Sequence, residues 1–226
     1  ELVARLVIQA RRCAALDHPN IVRLEHLGEQ EGRYFLVTDY VPGHSLRELI
    51  DTHGPLSAER AVRVARQICA ALAYAHEQGM VHGDIRPSNI LVGEDDHAIL
   101  ADFGACWRVG EGEGAGEGAE VPEYLSPEQI RGEPVTPATD LWALGAVFYE
   151  MMTGSRPFRG DYEQAVAYTI LNEPPAPLDQ TLPDRPSVLD SVLTKALTKD
   201  SKVRYQTAEE FIEGLETVTG VRAAVV

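Results

Sequence analysis

The residues of this chain that could do chemistry sit in two short stretches, His82-Gly83-Asp84-Ile85-Arg86-Pro87-Ser88-Asn89 and Asp102-Phe103-Gly104. Asp84, Asn89 and Asp102 bring side-chain oxygens, and such hard donors suit a hard cation such as Mg2+. A carboxylate within reach of a hydroxyl can also accept or orient its proton, a task that needs reach more than a raised pKa. Arg86 adds a positive charge to the same stretch. Taken singly, each of the four is an ordinary solvated turn residue. Together they outline a place for a metal-bound anion and an incoming hydroxyl.

Such groups need elements to hold them. Leu2 to Leu16 contains no Gly or Pro, and Leu2, Leu6, Gln9, Cys13 and Leu16 recur at helical spacing. Asp17-His18-Pro19-Asn20 ends that helix, because proline disfavours helix in the residue before it. Ile21 to Leu27 and Tyr34 to Val37 read as strands, joined by the polar, glycine-bounded turn Gly28-Glu29-Gln30-Glu31-Gly32. Pro42-Gly43 closes the unit, and Ser45 caps a short helix through Ile50. Ser57 predicts the start of a long helix whose Ala61, Val64, Ile68, Leu72 and Ala75 share a face and which Gly79 closes. Met80 to Ala101 is β-rich. Thr136-Pro137 opens a second long helix, and Leu141 to Met152 is apolar on every face, which predicts enclosure by other helices. Tyr162 to Leu171, Val188 to Leu197 and Ala208 to Val218 are amphipathic. The expected class is α+β, a small β-containing piece before a larger helical one, with a ligand cleft between them.

Composition excludes several functions. Acidic residues number 35 and basic ones 20, a net charge of −15, and the pI is about 4.8. Nucleic acid is therefore not the expected partner, since phosphate binding needs clustered Lys and Arg. In 226 residues, 44% hydrophobic content supplies a real core for one large domain or two small ones. No apolar run approaches the ~20 residues that cross a bilayer. Cys13, Cys69 and Cys106 fit no C-x-x-C spacing, which argues against zinc and a disulfide framework. Free thiols point to a reducing, cytoplasmic setting, with Cys13 and Cys69 as small buried residues. The chain opens at Glu1 without a signal-like segment and reads as a piece of something longer.

With these motifs in order, the sequence resembles the protein kinase family, in particular bacterial Ser/Thr kinases. Asp84 and Asn89 have the spacing of that family's catalytic loop, and Asp102-Phe103-Gly104 stands as its D-F-G. Ser126-Pro127-Glu128 stands where the family has A-P-E. Asp140-Leu141-Trp142-Ala143-Leu144-Gly145 matches its D-x-W-x-x-G helix start, and Arg204 falls where an arginine pairs with the A-P-E glutamate. The resemblance implies a two-lobed kinase fold. Residues 1–41 would be a partial N-lobe with hinge, 42–220 a mainly helical C-lobe and 221–226 a tail. It also implies transfer of the ATP γ-phosphate to Ser/Thr hydroxyls of proteins, the Ser/Thr preference resting on Arg86-Pro87-Ser88-Asn89. Asp84 would take or orient the hydroxyl proton, Arg86 would place charge near the γ-phosphate, and Asn89 and Asp102 would hold Mg2+. Thr38 would be the gatekeeper, with the Asp39 and Val41 backbones bonding adenine and Leu91 lying under its ring. His82 would pack beneath Phe103, Gly104 would complete the D-F-G turn, and Asp140 would bond the catalytic-loop backbone. The implied partner is a protein substrate or regulatory protein. The implied location is cytoplasmic, or the cytoplasmic part of a membrane-anchored protein.

Departures from the family pattern set further expectations. The glycine-rich phosphate loop and the strand bearing the ATP-binding lysine belong before the first helix, where this sequence starts. For the 226 residues alone, negligible transfer is expected. Gln9 stands at the helix glutamate that pairs with that lysine, and an amide gives no ion pair. Gly83 replaces the arginine before the catalytic Asp, Arg86 replaces a lysine, and Val121 replaces a threonine that bridges them. Residues 105–123 contain no Ser, Thr or Tyr, so phosphorylation of this loop is not expected to switch the domain. Its Gly- and Glu-rich part, residues 110–120, reads as a solvated flexible loop before it reads as a selector of basic partners. A pseudokinase scaffold, binding partners with or without nucleotide, is the alternative these departures favour.

Overall fold

The computed structural model of the chain describes residues 13–31, 33–103, 107–108, 123–178, 182 and 187–219. Gln9, Gly104, Cys106 and Val121 lie outside them, as do most of the expected first helix, residues 109–122 and the tail. Among the described residues there are seven α-helices and seven short strands. A small antiparallel N-lobe hairpin precedes a mostly helical C-lobe, a kinase-like α+β fold.

Two long helices form the axis of the C-lobe. Ser57 accepts a hydrogen bond from Arg60 N–H and starts helix α2 (Ala58–Glu77), after the short α1 (Leu46–His53) that Ser45 opens with a capping box. Ala61, Val64, Ile68, Leu72 and Ala75 of α2 are fully buried, as their shared face predicts. Thr136 and Pro137 start α4 (Pro137–Thr153), and every residue from Ala138 to Met152 is buried. Burying a Leu, Ile, Val or Phe side chain contributes roughly 1.5–3 kcal/mol relative to leaving it in water, so this helix is the main hydrophobic anchor of the lobe. The short α3 (Pro127–Arg131) precedes it, and α5 (Glu163–Asn172), α6 (Ser187–Ala196) and α7 (Ala208–Thr219) pack around it and α2. No helix of the described residues is long and apolar enough to cross a membrane.

The first hairpin departs from expectation. Strand β1 (Leu24–Gln30) runs through Gly28 and Glu29 and pairs with β2 (Arg33–Thr38), so Gln30 faces Arg33 and only two residues remain between them. Glu31 takes φ +53°, the left-handed backbone that two-residue hairpin turns favour. Polar residues that read as a turn are accommodated in the strand because most of this hairpin is exposed. Ile21 leaves the hairpin for a parallel bridge to Leu100, and Leu100 N–H donates to the Asn20 carbonyl at 2.8 Å. Short strands β3 (His44–Ser45), β5 (Ile90–Val92) and β6 (Ala98–Leu100) form one sheet, and β4 (Met80–Val81) pairs with β7 (Trp107–Arg108).

Candidate active site

The β5–β6 hairpin decides where the oxygen donors lie. Asn89 immediately precedes β5, Asp102 follows β6 by two residues, and Ala101 N–H donates to the Asn89 carbonyl at 2.8 Å. The alternation within both strands is strict: Ile90, Val92, Ala98 and Leu100 are buried, while Leu91 and Ile99 are half-buried. Leu91 and Ile99 are register partners, so the two share a face. The Asn89 amide nitrogen donates to the Asp84 carbonyl and to Asp84 Oδ2, both at 2.9 Å. Its Oδ1 accepts from Ser88 Oγ at 3.3 Å. Asp102 is exposed at φ +66°, a backbone uncommon for an aspartate. Burial raises the Asp84 carboxyl above the usual carboxylate range, and the charge of Asp102 adds to this. The Arg86 charge and the Asn89 amide partly offset it.

Backbone clamps hold the loop that carries Asp84. The fully buried Asp140 accepts from His82 N–H (2.9 Å) through Oδ2 and from Gly83 N–H (2.8 Å) through Oδ1. His76 Nε2 reaches the same Oδ2 at 2.8 Å. Asp84 N–H donates to His82 Nδ1 (3.2 Å), which leaves His82 Nε2 to carry the proton toward the Ala101 carbonyl at 2.9 Å. Phe103 meets the His82 ring edge-on, 4.6 Å between centroids, and its carbonyl accepts from the Cys13 thiol at 2.8 Å. Gly83 takes φ +77°, where a residue without Cβ is unstrained. Arg86 opens the one-turn 3-10 helix Pro87–Asn89.

A second, buried pair lies behind α3. Arg204 bonds Glu128 through both Nη1 and Nη2 at 2.7 Å, and Thr139 Oγ1 adds a 3.0 Å bond to the same carboxylate. Burial alone would raise the Glu128 carboxyl, but the bidentate bonds and charge of Arg204 hold it below the usual range. Arg204 also donates to the carbonyls of Thr198, Ala138 and Lys199 and stacks over Trp142.

Thr38 ends β2, and Val41 lies half-buried beyond it. Asp39 N–H donates to the Arg23 carbonyl at 3.1 Å. The structure thus brings together Asp84, Arg86, Asn89, Asp102, His82, Phe103 and Asp140, and separately Glu128 with Arg204; Gln9 and Gly104 lie outside the described residues. Sequence reasoning missed His76, whose polarity on an otherwise core-facing stretch was its only signal. It also missed the second hydrogen-bonding end of Gln129, although the Ser126-x-x-Gln129 pattern is a helix-start signature.

Residues 8–214 match the family model described as "Protein kinase domain". The chain belongs to the protein kinase family. It is 39% identical over 210 residues to the serine/threonine-protein kinase PknB of Mycolicibacterium smegmatis, covering 89% of this chain and 34% of that protein. It is 35% identical over 219 residues to the serine/threonine-protein kinase PrkC of Bacillus subtilis, covering 96% of this chain and 34% of that protein. The chain thus spans about a third of the length of the curated relatives it matches.

Kinases of this family generally use ATP and Mg2+. The donor set fits Mg2+: a carboxylate at Asp102 and an amide oxygen at Asn89 whose nitrogen is already engaged. Among the described residues no group of three or more His, Cys, Asp or Glu could hold a metal ion.

Proposed function

We propose that this chain is the kinase domain of a Ser/Thr protein kinase that transfers the γ-phosphate of ATP to protein hydroxyls. The single observation that carries the reading is the Asn89 amide, hydrogen-bonded to both the backbone and the carboxylate of Asp84. It ties the proton acceptor to one end of the β5–β6 hairpin while Asp102 follows the other. The hydroxyl oxygen bonds to the γ-phosphorus as the bond to the β–γ bridging oxygen breaks, and the hydroxyl proton passes to Asp84. Arg86 offers charge to the transferring phosphoryl group. Asn89 Oδ1 and Asp102 would hold Mg2+, which when bound would neutralise charge on the phosphate oxygens. Thr38, the Asp39 carbonyl, Val41 and Leu91 receive the adenine, and the division into lobes at residue 41 belongs to the same proposal.

Labelled ATP mixed with the full-length protein and generic basic substrates tests this. Transfer is expected, and Asp84→Ala is expected to lower kcat by about 10²–10⁴-fold. A wild-type rate no higher than the variant's would refute the enzyme reading. The second reading, a pseudokinase scaffold, is favoured by Gln9, Gly83, Arg86 and Val121 and by the loop without hydroxyls. It predicts, with no transfer, a melting temperature raised by ATP or left unmoved, with or without Mg2+. Absence of hydroxyls in residues 105–123 and of a side chain at Gly83 supports a domain not switched by phosphorylation of that loop.

A further inference from the structure

We infer that Gln129 is a positioning residue for Asp84, a conclusion that rests on the phosphotransfer reading above. Gln129 stands at the third position of α3. Its Oε1 accepts from the Ser126 backbone N–H (3.0 Å) and hydroxyl (3.1 Å), while its own N–H donates to Ser126 Oγ (3.3 Å). These bonds fix the oxygen end of the amide and leave the nitrogen end to point away from the helix. There Nε2 donates to the Gly83 carbonyl at 2.8 Å, across 46 residues of sequence.

The acceptor is well placed to matter. The Gly83 carbonyl belongs to the peptide group whose N–H is that of Asp84, and that N–H donates to His82 Nδ1. Gly83 N–H is held by Asp140 Oδ1. Gln129 therefore supplies the bond on the far side of a peptide that is otherwise held from one side only. With no side chain at Gly83, the tie between α3 and the catalytic loop runs through backbone and a neutral amide. It needs no added charge to form, and it fixes the plane from which the Asp84 side chain departs.

Two substitutions separate this role from helix capping. Gln129→Glu keeps the cap acceptor, since Glu is equally suited to that position, but sets an oxygen against the Gly83 carbonyl. Ser126→Ala weakens the cap and leaves the Gln129 nitrogen in place. In the full-length protein, Gln129→Glu is expected to lower kcat by about 10- to 100-fold, with KM for ATP and the melting temperature unchanged. The Asp84 amide in this variant should exchange with deuterium faster than in wild type. Ser126→Ala, which keeps the Ser126 N–H bond to Gln129 Oε1, should lower the melting temperature and change kcat and that exchange rate far less than Gln129→Glu does. A wild-type kcat in Gln129→Glu would overturn the inference, and so would equal losses in the two variants. If the wild-type protein transfers no phosphate, the functional reading alone fails. The exchange rates then decide: faster at Asp84 in Gln129→Glu than in Ser126→Ala supports positioning, and equal rates refute it.

Discussion

Two antiparallel hairpins among the described residues, one closed by two residues and one by five, are held differently. In β1–β2, Tyr34, Phe35 and Val37 are exposed, Leu27 is half-buried, and only Gly28, close against the ring of its partner Phe35, is buried. In β5–β6, Ile90, Val92, Ala98 and Leu100 are buried against the helical body. Its turn is pinned to α2 as well: Arg60 Nε donates to Asp96 Oδ1 at 2.7 Å, and Gln67 Nε2 donates to the Asp96 carbonyl at 2.8 Å. Gln67 Oε1 in turn accepts from Ala98 N–H and from Asn20, whose amide also reaches the Ala98 carbonyl. A two-stranded hairpin alone is marginal in water, so its rigidity is borrowed from whatever packs on it. The inner hairpin borrows from the main hydrophobic core, and it is the one whose ends carry Asn89 and Asp102.

The anchored half of the molecule should therefore fail in large steps and the outer hairpin in small ones. The greatest loss is expected on breaking the Glu128–Arg204 pair. Arg204→Leu leaves a carboxylate buried without its partner, at a cost of about 3–5 kcal/mol in a denaturant titration. The sign of the pH dependence follows from the depressed Glu128 carboxyl. Its stabilisation is fully present above the ordinary glutamate value of 4.5 and lost as pH falls through the lower folded value. Wild type should thus lose melting temperature in acid more steeply than Glu128→Gln. A parallel fall in both would remove the pair from the account.

Next in size is a direct contrast between the hairpins. Leu100→Ala in the inner one should cost about 2–5 kcal/mol and reduce phosphotransfer with it. Phe35→Ala in the outer one should stay within about 0.5 kcal/mol. Similar losses at the two positions would erase the distinction. Well below the loss at Leu100 is Arg60→Ala, a partly exposed ion pair worth about 0.2–1 kcal/mol, visible as a slight fall in melting temperature with kcat unchanged. A large fall in kcat there would mean the turn itself, and not the buried strands, sets the site.

Much of this was legible in the sequence. The helix starts at Ser45 and Ser57 follow from side chains that satisfy orphan N–H groups, and the start at Thr136 from Pro137, whose missing N–H costs nothing at the first helical position; these are local effects that need no tertiary context. The enclosure of Leu141 to Met152 follows from apolar residues on every side. The extent of β1 did not follow, because Glu29 and Gln30 carry turn-like composition and only their partners Tyr34 and Arg33 make them strand. Nor did the commitment of Asp39 N–H to Arg23, the His76 contact with Asp140, or the Gln129 bond to Gly83. Each joins groups that only the folded chain brings together, and a polar side chain does not announce which distant carbonyl or carboxylate it will meet.

The bond between Glu128 and Arg204 spans 76 residues of chain, which has a consequence for synthesis. A polypeptide leaving the ribosome presents its catalytic loop long before the arginine that locks the segment beyond it. Until that arginine emerges, the glutamate has no counter-ion and every incentive to stay in water. The segment around Glu128 should thus settle into its folded position only once nearly the last helix has been made.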